Sequence, residues 1–163
     1  MTRVHALVIV GCLSVVPILV HAQGDAAAKA RLGTWKLNLA KSKVDPASPT
    51  TYKSETRVYT DAGAQGTKTS ATITDTDGKT STRTFTAKYD GKDYPYINNP
   101  NGDSINITAV DMNTTDAVTK KAGKVVQSSH TVVSDGGKAL TITSTGTNAS
   151  GQKYTNVLVY DKQ

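Results

Sequence analysis

Chemistry in this chain has to come from few residues. His5, His21 and His130 are its only histidines, and Glu55 is its only glutamate. A hydrolytic triad needs an imidazole that takes a proton near neutral pH. His130 lies where Val126 and Val132 share its parity and Val125 and Val133 oppose it. No inward face can be assigned to it, and a surface or rim position is expected. Glycoside chemistry needs two carboxylates held across a cleft. Asp61, Asp75, Asp77, Asp90 and Asp135 stand instead at turn signals, where aspartates bond the backbone. Asp75-x-Asp77-Gly78 has the start of a calcium loop but lacks the terminal glutamate. These residues predict a non-enzyme with no metal and no cofactor.

Arg83 is the residue with a functional reading. In the run 79–89, Arg83, Phe85, Ala87 and Tyr89 form one row, and Thr82, Thr84, Thr86 and Lys88 the other. The aromatic row faces inward on this alternation, which puts Arg83 inside or at a mouth. An arginine among apolar groups is costly unless paired. One reading makes it an anchor for a ligand carboxylate or phosphate, assisted by the hydroxyls of Tyr52 or Tyr89. The other makes it a rim arginine paired with an aspartate or with Glu55. Arg83, Phe85, Tyr89 and Tyr52 are the candidate ligand-binding residues. Tyr94 and Tyr96 flank Pro95 in the long connection 92–103, and form either a recognition loop or a lid packed on the core.

The elements that must position these residues begin after residue 22. Met1-Thr2-Arg3 is a short positive start, Val4–Val20 is almost wholly apolar, and Val20-His21-Ala22 is a small-residue cleavage pattern. Residues 1–22 therefore read as a secretory signal peptide, and a periplasmic or secreted protein is expected. Ile9-Val10-Gly11-Cys12 resembles a lipobox, but the apolar run continues from Leu13 to Val20. A stable membrane anchor is expected only if Cys12 is lipidated. Cys12 is the one cysteine, so the cleaved chain has neither disulfide nor thiol chemistry. Net charge is +6, spread along the chain, with Lys120, Lys121 and Lys124 gathered round a glycine turn. A nucleic-acid surface needs a denser basic patch.

Residues 23–32 read as a short flexible or helical lead-in, and residues 33–163 as one domain. Thr, Val, Ile and Tyr dominate that domain. Asp77-Gly78, Asp90-Gly91, Asn101-Gly102, Asp135-Gly136 and Ser150-Gly151 punctuate it with turn signals. Strands are predicted at 33–40, 51–61, 66–75, 79–89, 104–110, 115–121, 124–134, 138–146 and 153–160. In the second, Tyr52, Ser54, Thr56 and Val58 are read as inward, against Lys53, Glu55, Arg57 and Tyr59. In the last, both rows are partly apolar. The fold class is all-β, an antiparallel up-and-down meander closed into a barrel of about 8–10 strands, because closure removes exposed edges.

Gly33-Thr34-Trp35 at the first strand resembles the start of lipocalin-like barrels of the calycin group. The resemblance implies that Trp35 closes the barrel bottom against a late-strand basic residue, of which Lys153 is the nearest in the last strand. Residues 33–43, 89–95, 121–126, 133–138 and 146–152 together resemble a group of small secreted bacterial lipocalin-like proteins. That likeness implies fold and export and assigns no binding residue. The expected function is a monomeric, non-catalytic binding module for a small amphipathic molecule. The alternative is a structural or envelope-associated interaction domain with a filled core.

Overall fold

The structure is a computed structural model that describes residues 17–163, with side chains from Gln23 onward. The lipobox reading at Cys12 and most of the signal segment lie outside the described residues.

The lead-in is helical. Helix α1 spans Pro17–Arg31, and its alanines at 26, 27, 28 and 30 favour that state. Lys29 and Arg31 sit in its last turn, where cations suit the helix dipole. Gly24, Ala27 and Arg31 are buried, at a spacing that makes one helical face.

Ten strands follow: β1 (Gly33–Leu37), β2 (Ser54–Asp61), β3 (Thr67–Thr74), β4 (Thr80–Ala87), β5 (Asp90–Pro95), β6 (Ser104–Ala109), β7 (Thr114–Lys121), β8 (Lys124–Ser134), β9 (Ala139–Thr147) and β10 (Lys153–Lys162). They form one sheet in the order β4-β3-β2-β1-β10-β9-β8-β7-β6-β5. Each described ladder is antiparallel. The first and last strands pair, so the sheet curls into a barrel whose one seam lies between β4 and β5. A single bridge between Thr84 and Ile97 crosses that seam.

The tenth strand is the one the sequence hides. Residues 90–95, read as the start of a long connection, form β5. Its register with β6 shifts between Asp90 and Asp93, where Gly91 takes φ 77°. Such a bulge breaks the period-2 pattern. Pro95 is tolerated because β5 has a ladder on only one side.

Two apolar clusters line opposite walls. Trp35, Leu37, Tyr59, Val133, Leu140, Ile142, Leu158 and Tyr160 form one; Ala27, Phe85, Ala87, Tyr89, Ile105 and Ile107 form the other. The ambiguity of the last strand is resolved. Tyr154, Asn156, Leu158 and Tyr160 face inward, and the opposite row is half-buried or exposed.

Helix α1 plugs the barrel bottom with Arg31, whose residue is 1% exposed. Its guanidinium donates to the carbonyl oxygens of Ala27, Asn113 and Thr131 and to Thr115 Oγ1. Trp35 Nε1 donates to the Arg31 carbonyl at 2.7 Å. The basic residue over the Trp35 ring is Lys162, at 5.0 Å, rather than Lys153. The reason is register: Trp35 pairs with Lys162, while Lys153 starts β10 at the opposite end.

Candidate ligand-binding site

The barrel interior is polar between its two apolar walls. Glu55, Thr67, Thr69, Thr115, Thr119, Thr131, Ser144 and Asn156 are all buried there. Beyond Arg3, the chain's arginines are Arg31, Arg57 and Arg83, and all three point inward, whereas no described lysine is buried.

Glu55 and Arg57 occupy the inner row of β2 with Tyr59. This reverses the expected parity: Ser54 and Thr56 are exposed, and Val58 is half-buried on the outer row. Tyr52 does face the interior, as expected. A bend at Lys53, just before β2, shifts the phase, so residues three apart share a face. Arg57 donates from Nε to Glu55 Oε1 at 3.0 Å, with Nη2 2.8 Å from the same oxygen. The Tyr160 hydroxyl donates to Glu55 Oε2 at 3.0 Å, and the Arg57 guanidinium lies 5.5 Å from the Tyr160 ring centre. The Glu55 side chain is wholly buried and that of Arg57 is 16% exposed. Burial opposes the Arg57 charge, yet Glu55 together with Tyr59, Tyr160 and Tyr96 outweighs it and holds Arg57 above its ordinary value. Burial, reinforced by Glu55, likewise pushes the Tyr160 phenol up.

Arg83 is different. It sits on the inner row of β4, with Phe85 and Ala87 following on the same side. Its Nη2 donates to Thr50 Oγ1 at 3.2 Å, and its Nε is buried without a partner. Among the described residues it forms no ion pair, so the expected alternatives of an aspartate or Glu55 as its partner do not occur; Glu55 belongs to Arg57.

A cavity of about 260 Å³ opens at the end away from α1, lined by Tyr52, Glu55, Arg57, Arg83, Tyr96 and Tyr154 among others. Its mouth is built by three connections, contributing Ser48–Thr50, Asn99 and Asn101, and Asn148–Ala149, together with Lys121 at the end of β7. Thr50 Oγ1 also accepts from Asn101 Nδ2 at 3.3 Å, which ties two of them together. A smaller cavity of about 90 Å³ lies toward α1, lined by Arg31, Tyr59, Phe85 and Tyr89. The two share Arg57, Tyr96, Thr119, Gln127 and Ile142 as lining.

Of the candidate ligand residues, Arg83 and Tyr52 line the larger cavity, while Phe85 and Tyr89 line the smaller. Burial pushes Tyr52 and Tyr96 above the usual tyrosine range, so both remain hydroxyl donors at neutral pH. Tyr96 stacks edge-on against Phe85, ring centres 5.1 Å apart. Tyr94 is half-buried on β5 and donates to Asp90 Oδ1 at 3.0 Å. Tyr94 thus lies on a wall strand, and Tyr96, just after it, is half-buried and lines the cavity. His130 is exposed, 2.7 Å from Asp116 on the neighbouring strand. Asp75 Oδ1 accepts from the Asp77 and Lys79 amides, so it serves the β3–β4 turn.

Glu55, Arg57 and Arg31 are the interior residues the sequence reading missed. A signal for two of them was present: the sole glutamate stands two residues from an arginine, with a tyrosine two further on. Only a compensated pair sits easily on an inward row.

These features define a lipocalin-like, calycin-type barrel. The crystal structure of the fluorescent protein UnaG matches with a TM-score of 0.52 at 14% identity, covering 83% of this chain and 99% of UnaG. A point mutant of UnaG gives a TM-score of 0.56 at 14% identity, over 83% and 97% of the two chains. Zebrafish ileal bile acid-binding protein complexed with cholic acid gives 0.48 at 13% identity, over 82% and 99%. At such identities the likeness to UnaG establishes the fold alone. No protein-family model matches the sequence, and no curated protein matches it.

Proposed function

We propose that this chain is an exported, non-catalytic binding module that holds a small anionic amphipathic molecule inside the barrel, with Arg83 as the anchor. The observation that carries this is the uncompensated guanidinium. Arg83 has an orphaned, buried Nε and no carboxylate partner, in a cavity of about 260 Å³. Leaving a buried charged donor unmade costs more than an ordinary hydrogen bond contributes. A ligand carboxylate supplies the missing acceptor with the geometry a guanidinium favours. The open cavity counts against the alternative of a structural domain with a filled core. Export rests on the signal pattern of residues 1–22, and cleavage after Ala22 leaves Gly24, Ala27 and Arg31 in place at the barrel bottom.

The test is a melting-temperature screen against monocarboxylates of graded size, followed by calorimetric titration. Arg83→Met should weaken a binding acid at least tenfold, or about 1.4 kcal/mol, without lowering the melting temperature of the free protein. Absence of saturable binding by any carboxylate would overturn the reading.

A further inference from the structure

We infer that the occupant is a compact, hydroxyl-bearing aromatic monocarboxylate of about ten non-hydrogen atoms, and that long acyl chains are excluded. This rests on the anionic-ligand reading above and narrows it.

Size comes first. An apolar cavity of about 150 Å³ takes one benzene molecule. The cavity here, about 260 Å³, has room for a ring plus a short acidic arm. It falls just below the usual range of ligand pockets, about 300 to 1,000 Å³. A long chain has nowhere to continue. The smaller cavity measures about 90 Å³, and Arg57 and Tyr96 line both spaces where they meet. Beyond it Arg31 is tied to three carbonyls and Thr115, so the floor is fixed.

Charge comes next. The larger cavity is lined by Arg57, Arg83, Lys121 and Glu55. Glu55 is committed to Arg57, and the exposed Lys121 donates to the Pro100 carbonyl at the mouth, so of the inward-facing charges only Arg83 is uncompensated. That single inward guanidinium matches a monoanion. Lys121 at the mouth adds a cation on the approach path.

Lining decides the rest. Tyr52, Tyr96 and Tyr154 offer aromatic surface, and Ile73, Ile142 and Leu158 aliphatic surface. Among them stand Thr119, Gln127, Ser144 and Asn156. A saturated chain would press hydrocarbon on these polar groups, which is unfavourable. A ring carrying a hydroxyl meets both kinds of wall.

The experiment is calorimetric titration of the intact protein with 4-hydroxyphenylacetate, 4-hydroxyphenylacetamide and hexadecanoate. The expected result is saturable one-to-one binding of the acid, at least tenfold weaker binding of the amide, and none of hexadecanoate. Arg83→Met should abolish the preference of acid over amide, and Arg83→Lys should retain part of it. Hexadecanoate binding more tightly than 4-hydroxyphenylacetate would overturn the size class while leaving the anionic reading intact. Equal binding of acid and amide would overturn the anchor, and failure of every carboxylate would overturn the parent reading as well.

Discussion

Three arginines inside one small barrel are held in three different ways, and their partners set what each can do. Arg31 spends its donors on backbone carbonyls and one hydroxyl, which makes it structural. Arg57 is neutralised by Glu55, whose second oxygen is taken by Tyr160. Removing one member of such a pair leaves a buried charge uncompensated, which costs far more than the pair contributes. Glu55→Leu should therefore destabilise the protein by about 3–5 kcal/mol, read from urea denaturation. Adding Arg57→Met should recover most of that loss, and a double variant no more stable than the single one would contradict the pair's isolation. The Arg83 position was legible because Phe85 and Tyr89 share its row and fix the parity. Glu55 and Arg57 were not, because the bend at Lys53 resets the phase and only Tyr59, at the far end of β2, reports the true face.

At the scale of elements, the connection from β1 to β2 is a strap rather than a loose loop. Its first turn, Leu39–Lys41, is capped by the Asn38 side chain. Lys43 then bridges to Val157, and Asn156 holds both the Asp45 amide and the Ser48 hydroxyl. Asp45 completes the attachment: its carboxylate accepts from the Ala47 amide at 2.9 Å and the Thr155 amide at 3.1 Å. Those two bonds, Ala47 first, hold its pKa below the usual carboxylate range. A depressed folded-state value stabilises the fold above the ordinary aspartate range, and that contribution fades as pH falls through the folded value. The Ala47 and Thr155 amide resonances should therefore shift together in a titration below about pH 4. Asp45→Asn should remove that transition. The strap carries Ser48–Thr50 to the mouth, so the same acidification should weaken ligand retention. None of this was visible beforehand, since the strap's bonds join residues more than a hundred positions apart. Helix α1 was half visible: its alanines left a helical or a flexible lead-in open, and nothing in residues 23–32 announced that Arg31 ends inside the barrel.

At the scale of the whole molecule, closure is incomplete along one line, and that line sets how the barrel opens. The ladders run unbroken from β4 through β1 and β10 to β5. Across the seam there are two backbone hydrogen bonds, Thr84 N–H to the Ile97 carbonyl at 3.1 Å and Ile97 N–H to the Thr84 carbonyl at 2.8 Å. Edge strands invite pairing with other chains unless blunted. Here the outer face of β4 is a row of threonines, and the bulged, proline-ended β5 is the other lip. Successive amides along a strand point to opposite sides, so the direction of Thr84 fixes its neighbours. The Thr82 and Thr86 amides face the seam, while those of Arg83 and Phe85 face β3. Native-state hydrogen exchange should separate the two sets by roughly a hundredfold or more, with Thr82 and Thr86 fast and Arg83 and Phe85 slow. The Thr84 and Ile97 amides should fall between them and report opening of the seam itself. Phe85 and Tyr96, one on each lip, are stacked edge-on. A ligand seated against Tyr96 and Arg83 therefore touches both sides of the seam and should slow exchange at Thr84 and Ile97 more than in β8 or β9. Equal slowing throughout the barrel would instead mean that the ligand enters through the mouth without any coupling to the seam.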